Sequence, residues 1–235
     1  MDVVIWFRHR KKAWSADLHS SLLAYYCDLM EFERGQRWRV QSWSQEVRVR
    51  DNGDVDQRVR VTVVAECDRL DFVSFHDRVN WDWPEKNRDR VRVEVRTPER
   101  HGIGGTRLDV THRWLRKGQI KAFVHLDRPI VRGEEFTFVA EMFWPEKCLP
   151  FVRGDGPDSF LVSFGEITRM VEYRVVLPKR WAVNFEHFGL TPGRDDYVLT
   201  ASVNQEGRMV ASLTVRDLPG YRKVGLKLDT PSAPA

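Results

Sequence analysis

Cysteine is scarce in this 235-residue chain: three residues, at positions 27, 67 and 148. An odd number, with no CxxC pair and no Cys/His ligand spacing, excludes a disulfide framework and a structural zinc site. It points to a reducing, cytoplasmic compartment. Lysine is also scarce, supplying nine of 38 cations, and 34 carboxylates sit among those cations to leave a formal charge of only +4. So small a surplus is not a polycationic surface and argues against nucleic acid as the partner. Long apolar runs are missing. Val3–Phe7 is the longest near the amino terminus, against about 20 residues for a membrane-spanning helix, and no signal-peptide pattern surrounds it. Catalytic signatures are missing too: no G-x-S-x-G elbow, no Walker A loop, no G-x-G-x-x-G after a strand, no H-E-x-x-H. Neither a cofactor nor a metal is expected.

What is present is a β pattern. Glu46–Arg50 and Arg58–Val63 alternate polar and apolar residues about the turn Asp51-Asn52-Gly53-Asp54, the signature of a hairpin. A three-residue loop, 52–54, sets Val47 opposite Val59 and gathers the valines on one face; a two-residue loop would set Val47 opposite Arg58. Further strands are expected over 90–96 with valines inward, on both sides of Lys117-Gly118, over 171–177 with Pro178 as terminator, over 181–185, and on both sides of Gln205-Glu206-Gly207. About a dozen strands with no helices between them indicate an all-β antiparallel β-sandwich.

One α-helix is expected, over residues 14–34. Trp14, Leu18, Leu22, Tyr25, Leu29 and Phe32 form a stripe at the 3.6-residue period, with Ser15 as N-cap and Gly35 as stop. The stripe is expected to pack on a sheet, or to join an amino-terminal partner. Before it, Val3-Val4-Ile5-Trp6-Phe7 runs into Arg8-His9-Arg10-Lys11-Lys12. That reads as a short buried strand or helix start with a solvated basic turn, and it confines any membrane contact to residues 3–12.

The chain also echoes itself. Val61–Glu66 returns as Phe136–Glu141 with four of six residues identical, at an offset of 75. Phe72–Phe75 returns as Leu161–Phe164, and Thr111, Gly118 and Ala122 as Thr200, Gly207 and Ala211, both at an offset of 89. The difference of 14 places an insertion between 141 and 161, in a stretch rich in Pro, Gly and Asp. The organisation expected is residues 1–36 as strand, basic turn and helix, 37–130 and 131–228 as two related β halves, and 229–235 as a disordered tail.

Candidate site residues are few. His76-Asp77-Arg78, near Trp81, Asp82, Trp83 and Glu85, could do acid–base work, although a solvated strand end with packed tryptophans accounts for it more simply. Glu66 and Glu141 occupy equivalent places in the echo and would serve as paired carboxylates only within about 5–10 Å of each other. His101-Gly102-Ile103-Gly104-Gly105 could cradle an anion, but a plain connection is the simpler reading. Outward arginines on the strands, Arg90 and Arg92 among them, have interleaved acids, as on a solvated sheet face. The candidates are therefore His76, Asp77 and Glu141 for catalysis, and Trp81, Trp83, Arg90 and Arg92 for binding. The function expected is a non-catalytic β-sandwich binding or regulatory module that engages a protein partner or ligand through a β surface or loops. The alternatives are an enzyme or small-ligand binder with a pocket between the two halves, and a membrane-proximal or nucleic-acid-associated accessory module.

Overall fold

The computed structural model describes residues 3–99, 105–179, 181 and 183–229, with side chains from residue 19 onward. Residues 101–104 of the glycine-rich connection and residues 230–235 of the expected tail lie outside the described residues, and Asp229 ends the last strand. The fold is an all-β sandwich with one long amino-terminal helix, α1 (Val3–Arg34). The strands are β1 (Trp38–Val49), β2 (Val55–Ala65), β3 (Leu70–Arg78), β4 (Arg92–Arg96), β5 (Arg107–Leu108), β6 (Val110–Arg116), β7 (Gln119–Ile130), β8 (Glu135–Trp144), β9 (Asp158–Val162), β10 (Thr168–Lys179), β11 (Asn184–Phe188), β12 (Tyr197–Val203), β13 (Arg208–Leu218) and β14 (Val224–Asp229). A 3₁₀ turn, Glu85–Arg90, precedes β4, and a five-residue helix, α2 (Leu149–Arg153), precedes β9.

Eight strands form one sheet in the order β12-β13-β10-β1-β2-β8-β4-β5; two three-stranded sheets, β11-β14-β9 and β3-β7-β6, form the other layer. Strands of 37–130 and of 131–228 thus share the large sheet, with β8 set between β2 and β4. All pairings are antiparallel except β1 with β10, which is parallel (Trp43 opposite Val171). The layers meet in one core. Phe75 of β3 stacks on Phe138 of β8, and Trp83, Trp114 and Trp144 form a cluster with ring centroids 5.6–5.9 Å apart. Each such aromatic pair adds about 0.5–1.5 kcal/mol beyond its buried area.

The β1–β2 hairpin corrects the expected register. Val49 pairs with Val55, and Val59 pairs with Gln45, not Val47, so five residues, 50–54, make the loop. A shift of two preserves parity, and the valines still share the inner face. The longer loop has its own bonds: Arg50 N–H donates to Asp54 O, Gly53 N–H to Arg50 O, and Asp54 N–H to Asn52 Oδ1. It also receives the segment after β8. Cys148 N–H donates to Gly53 O, and Glu146 N–H to Asp54 Oδ1 at 2.7 Å. Pro178 does not end its strand. It lies within β10, where the register to β13 shifts between Val176 and Lys179, an irregularity that accommodates the missing N–H.

The first echo acquires a geometric meaning. Its two segments are neighbours, with Thr62 opposite Thr137, Val61 opposite Phe138 and Val63 opposite Phe136. The threonine hydroxyls lie 2.9 Å apart on a local two-fold. The second echo falls in different settings: Phe72–Phe75 in β3 beside β7, and Leu161-Val162 in β9 beside β14. The third falls on two hairpins, β6–β7 and β12–β13. The insertion interval holds α2 as well as loop.

The helix is longer than expected and turned the other way. Residues 3–13 are helical, so of the two readings for 3–12 the helix start holds and the strand does not. The contacts to the β3-β7-β6 sheet come from Ala24 and Cys27, packed with Phe72 and Phe123, and from Asp28 and Glu31. Asp28 accepts from Arg113 Nη1 at 2.6 Å and Lys121 Nζ at 2.7 Å; Glu31 accepts from Ser74 Oγ and pairs with Lys121 at 3.2 Å. Small residues let the helix approach closely, and four polar contacts to three partners fix its rotation. The stripe expected to pack on the sheet is therefore exposed at Leu22, Tyr25, Leu29 and Phe32. No described helix is long and apolar enough to cross a membrane.

Candidate functional site

β3 and β9 are both edge strands of the second layer, and no strand pairing joins them among the described residues. At one end they are tied together: Asn80 Nδ2 donates to Ser159 O at 2.6 Å and to Asp158 Oδ1 at 3.1 Å. Beyond that tie they stand apart. Ser74–Arg78 and Leu161–Gly165 line the two walls of a cleft of about 450 Å³. Its floor is the large sheet, presenting Trp38, Val40, Trp43, Val61 and Phe138. Trp43 stacks obliquely on Phe164 at 5.4 Å. Its indole N–H is already committed to Gln45 Oε1 at 2.9 Å, so the ring offers the cleft an apolar surface. Glu31, Gln36, Gln119 and Lys223 stand around the opening. The volume is that of a small-molecule site, and the lining is mixed, with an aromatic and aliphatic floor below walls and rim that carry Glu31, His76, Asp77, Arg78 and Lys223.

Of the three catalytic candidates, the structure brings two to this cleft and places them on opposite sides of β3. Asp77 points into the sandwich, where both carboxylate oxygens bind Lys147 Nζ at 2.7 Å. His76 points toward α1 and is open to solvent. Crowding at the sheet edge removes part of its hydration, and with the nearby Lys121 ammonium this lowers its pKa from the ordinary 6.5, against the opposing pull of Glu31 and Asp28. The neutral imidazole is thereby favoured near pH 7. Glu141 is not in the cleft. It lies on the outer face of the large sheet, opposite Arg58 in the ladder and bonded to Arg96 Nη2 at 2.9 Å. The paired-carboxylate reading fails with it. Glu66 follows β2 eight residues beyond Arg58, Glu141's partner, which at about 3.3 Å per residue is roughly 25 Å.

The binding candidates do not share a surface. Trp83 is fully buried and donates to Pro145 O at 2.7 Å; Trp81 is half-buried and donates to Lys147 O at 3.0 Å. Arg90 ends the 3₁₀ turn near Asn87. Arg92 lies over the Phe143 ring, 4.9 Å from its centroid, on the outer sheet face. On that face Arg50 pairs with Asp56, Arg58 with Glu141, and Arg174 with Glu46. Among the described residues no group of three or more His, Cys, Asp or Glu side chains is placed to hold a metal.

The floor of the cleft escaped sequence reading. Trp38 and Val40 share a face with Trp43 only because the β1–β2 register shifts between Val40 and Ser42. A bulge inverts the parity that strict alternation assumes. The walls come from segments nearly 90 residues apart, which no local pattern connects.

No family model and no curated protein matches this chain. Solved structures do. An M1 zinc metallopeptidase from Deinococcus radiodurans shares 18% identity over 83% of this chain and 43% of its own length, with a TM-score of 0.48. A mutant M1 zinc metallopeptidase from the same organism, bound to a Tyr-Ser-Ala substrate, shares 16% identity over 82% and 42%, with a TM-score of 0.47. The chain thus spans less than half the length of the proteins it resembles. The expectation of a non-catalytic binding or regulatory module that works through a β surface or loops is corrected: the second layer of this sandwich opens into a cleft, where a filled core would leave no site.

Proposed function

We propose that the chain is a β domain of an enzyme, and that it holds the substrate in the cleft between β3 and residues 161–165. The observation that supports this is the gap between two unpaired edge strands over an aromatic floor. A ligand fitting it has an elongated apolar body for Trp38, Trp43 and Phe138, and a polar end for the rim. His76 is the rim group suited to accept a proton, because its lowered pKa leaves the imidazole free near neutral pH. Asp77 is a positioning residue here, since its carboxylate is taken by Lys147.

Titration of the full chain with the apolar fluorophore 1-anilinonaphthalene-8-sulfonate tests the reading. One saturable site is expected, weakened about tenfold or more by Trp43→Ala, which removes floor area, and by Val40→Phe, which fills the cleft. Unchanged binding in both variants, with near-UV circular dichroism showing intact packing, would overturn it.

A further inference from the structure

We propose that α1 docks the protein on an anionic lipid surface, lying along it and not crossing it. The helix is fixed to its own sheet by Ala24, Cys27, Asp28 and Glu31, and the ion pairs to Arg113 and Lys121 prevent that face from rolling outward. The opposite side carries Leu22, Tyr26, Leu29 and Phe32, which are 59%, 57%, 41% and 87% exposed, and Tyr25, 58% exposed, stands at its flank with Arg113 over its ring at 5.7 Å. Their spread decides the kind of partner. A partner helix occupies a narrow seam of two positions in seven. These residues, with half-exposed Leu23 beside them, cover about half of the helix circumference at 100° per residue. A broad face of this kind, apolar apart from exposed Glu33 and bearing tyrosine and phenylalanine, suits the boundary between headgroups and acyl chains.

Charge complementarity selects the lipid. The same unbroken helix begins with Val3-Val4-Ile5-Trp6-Phe7 and continues with Arg8-His9-Arg10-Lys11-Lys12, with no carboxylate from residue 3 to residue 16. Four permanent cations within two turns, beside an apolar run, are drawn to phosphatidylserine-type headgroups, and that attraction weakens with salt. The floor of the cleft, Trp43 included, belongs to the large sheet and not to α1, so the two sites are separable by mutation.

Co-sedimentation of the full chain with vesicles of phosphatidylcholine, alone and mixed with phosphatidylserine, tests the proposal. Binding is expected to the mixed vesicles and not to the neutral ones, falling about tenfold or more when salt is raised to about 0.5 M. The pair Lys11→Glu with Lys12→Glu should lose the anionic preference. The pair Leu22→Ser with Phe32→Ser should weaken binding at any salt without lowering the melting temperature, because both side chains are exposed. Trp43→Ala should leave vesicle binding intact. The proposal is overturned by equal binding to both vesicle types, by no binding, or by a dimer that Leu22→Ser with Phe32→Ser converts to monomer with no change at the vesicle.

Discussion

Lys147 Nζ stands 2.7 Å from both carboxylate oxygens of Asp77, with the two side chains only 10% and 14% exposed. Gln57 Oε1 accepts a further bond from the ammonium at 3.2 Å, and the Trp144 ring lies 4.8 Å beneath it. The pair spans the layers, linking β3 to the segment after β8. Two charges removed from water gain little over apolar replacements, but one left without its partner is costly. Asp77→Ala is therefore expected to lower stability by about 3–5 kcal/mol, and Asp77→Leu combined with Lys147→Met by much less. Urea unfolding of both singles and the double gives the coupling directly.

Gly53 is held at φ +81°, and a Cβ there would lie 2.6 Å from Leu149 Cα and 2.8 Å from Leu149 N. Neither neighbour is a flexible side-chain tip. Gly53→Ala must strain the 50–54 loop or push α2 away, and a loss of about 2–3 kcal/mol is expected. A lower urea midpoint with an unchanged slope would show that stability alone has moved.

All three cysteines are buried and free. Burial, then Glu31, raises the Cys27 thiol to about 11; burial, then Asp158, pushes Cys148 well up. Only thiolate reacts, so a disulfide reagent at pH 8 should label these two only as fast as the protein opens. Denaturant should release all three. Rapid native labelling of Cys27 would mean that α1 lifts from the sheet readily.

His76 and His125 both have pKa values below the ordinary 6.5, chiefly through lost hydration. Below about 6.5 the unfolded chain takes up protons that the folded protein resists, so stability declines as pH falls through that range. Above it the two histidines contribute no slope. His76→Gln with His125→Gln should flatten the decline between about pH 7 and pH 5. A slope unchanged by the double substitution would assign it to carboxylates.

The strands were legible because half-buried sheets impose period two on the sequence, and the tips at Lys117-Gly118 and Gln205–Gly207 because turns need glycine; Gly118 and Gly207 do sit at φ +66° and +71°. The helix was legible as a helix but not in its orientation. Its hydrophobic stripe is the more obvious face, yet Asp28 and Glu31 find Arg113 and Lys121 on a sheet whose cations no helical wheel reveals. His76 was legible as a polar group at a strand end, and it does reach a cleft. Glu141 was misread because an echo in spelling says nothing of which face a residue takes: Ala140 and Met142 turn inward, and Glu141 must turn out.

Ser44 of β1 bonds Glu172 of β10 across 128 residues of sequence. During synthesis, β1 and β2 can pair as soon as they emerge, but the far side of β1 stays an open edge until the ribosome has passed Lys179. The nascent chain thus carries an unsatisfied strand, bearing Trp38 and Trp43, while residues 50–179 are made. A topology so dependent on distant pairing folds slowly, and its hazard is greatest before β10 has emerged.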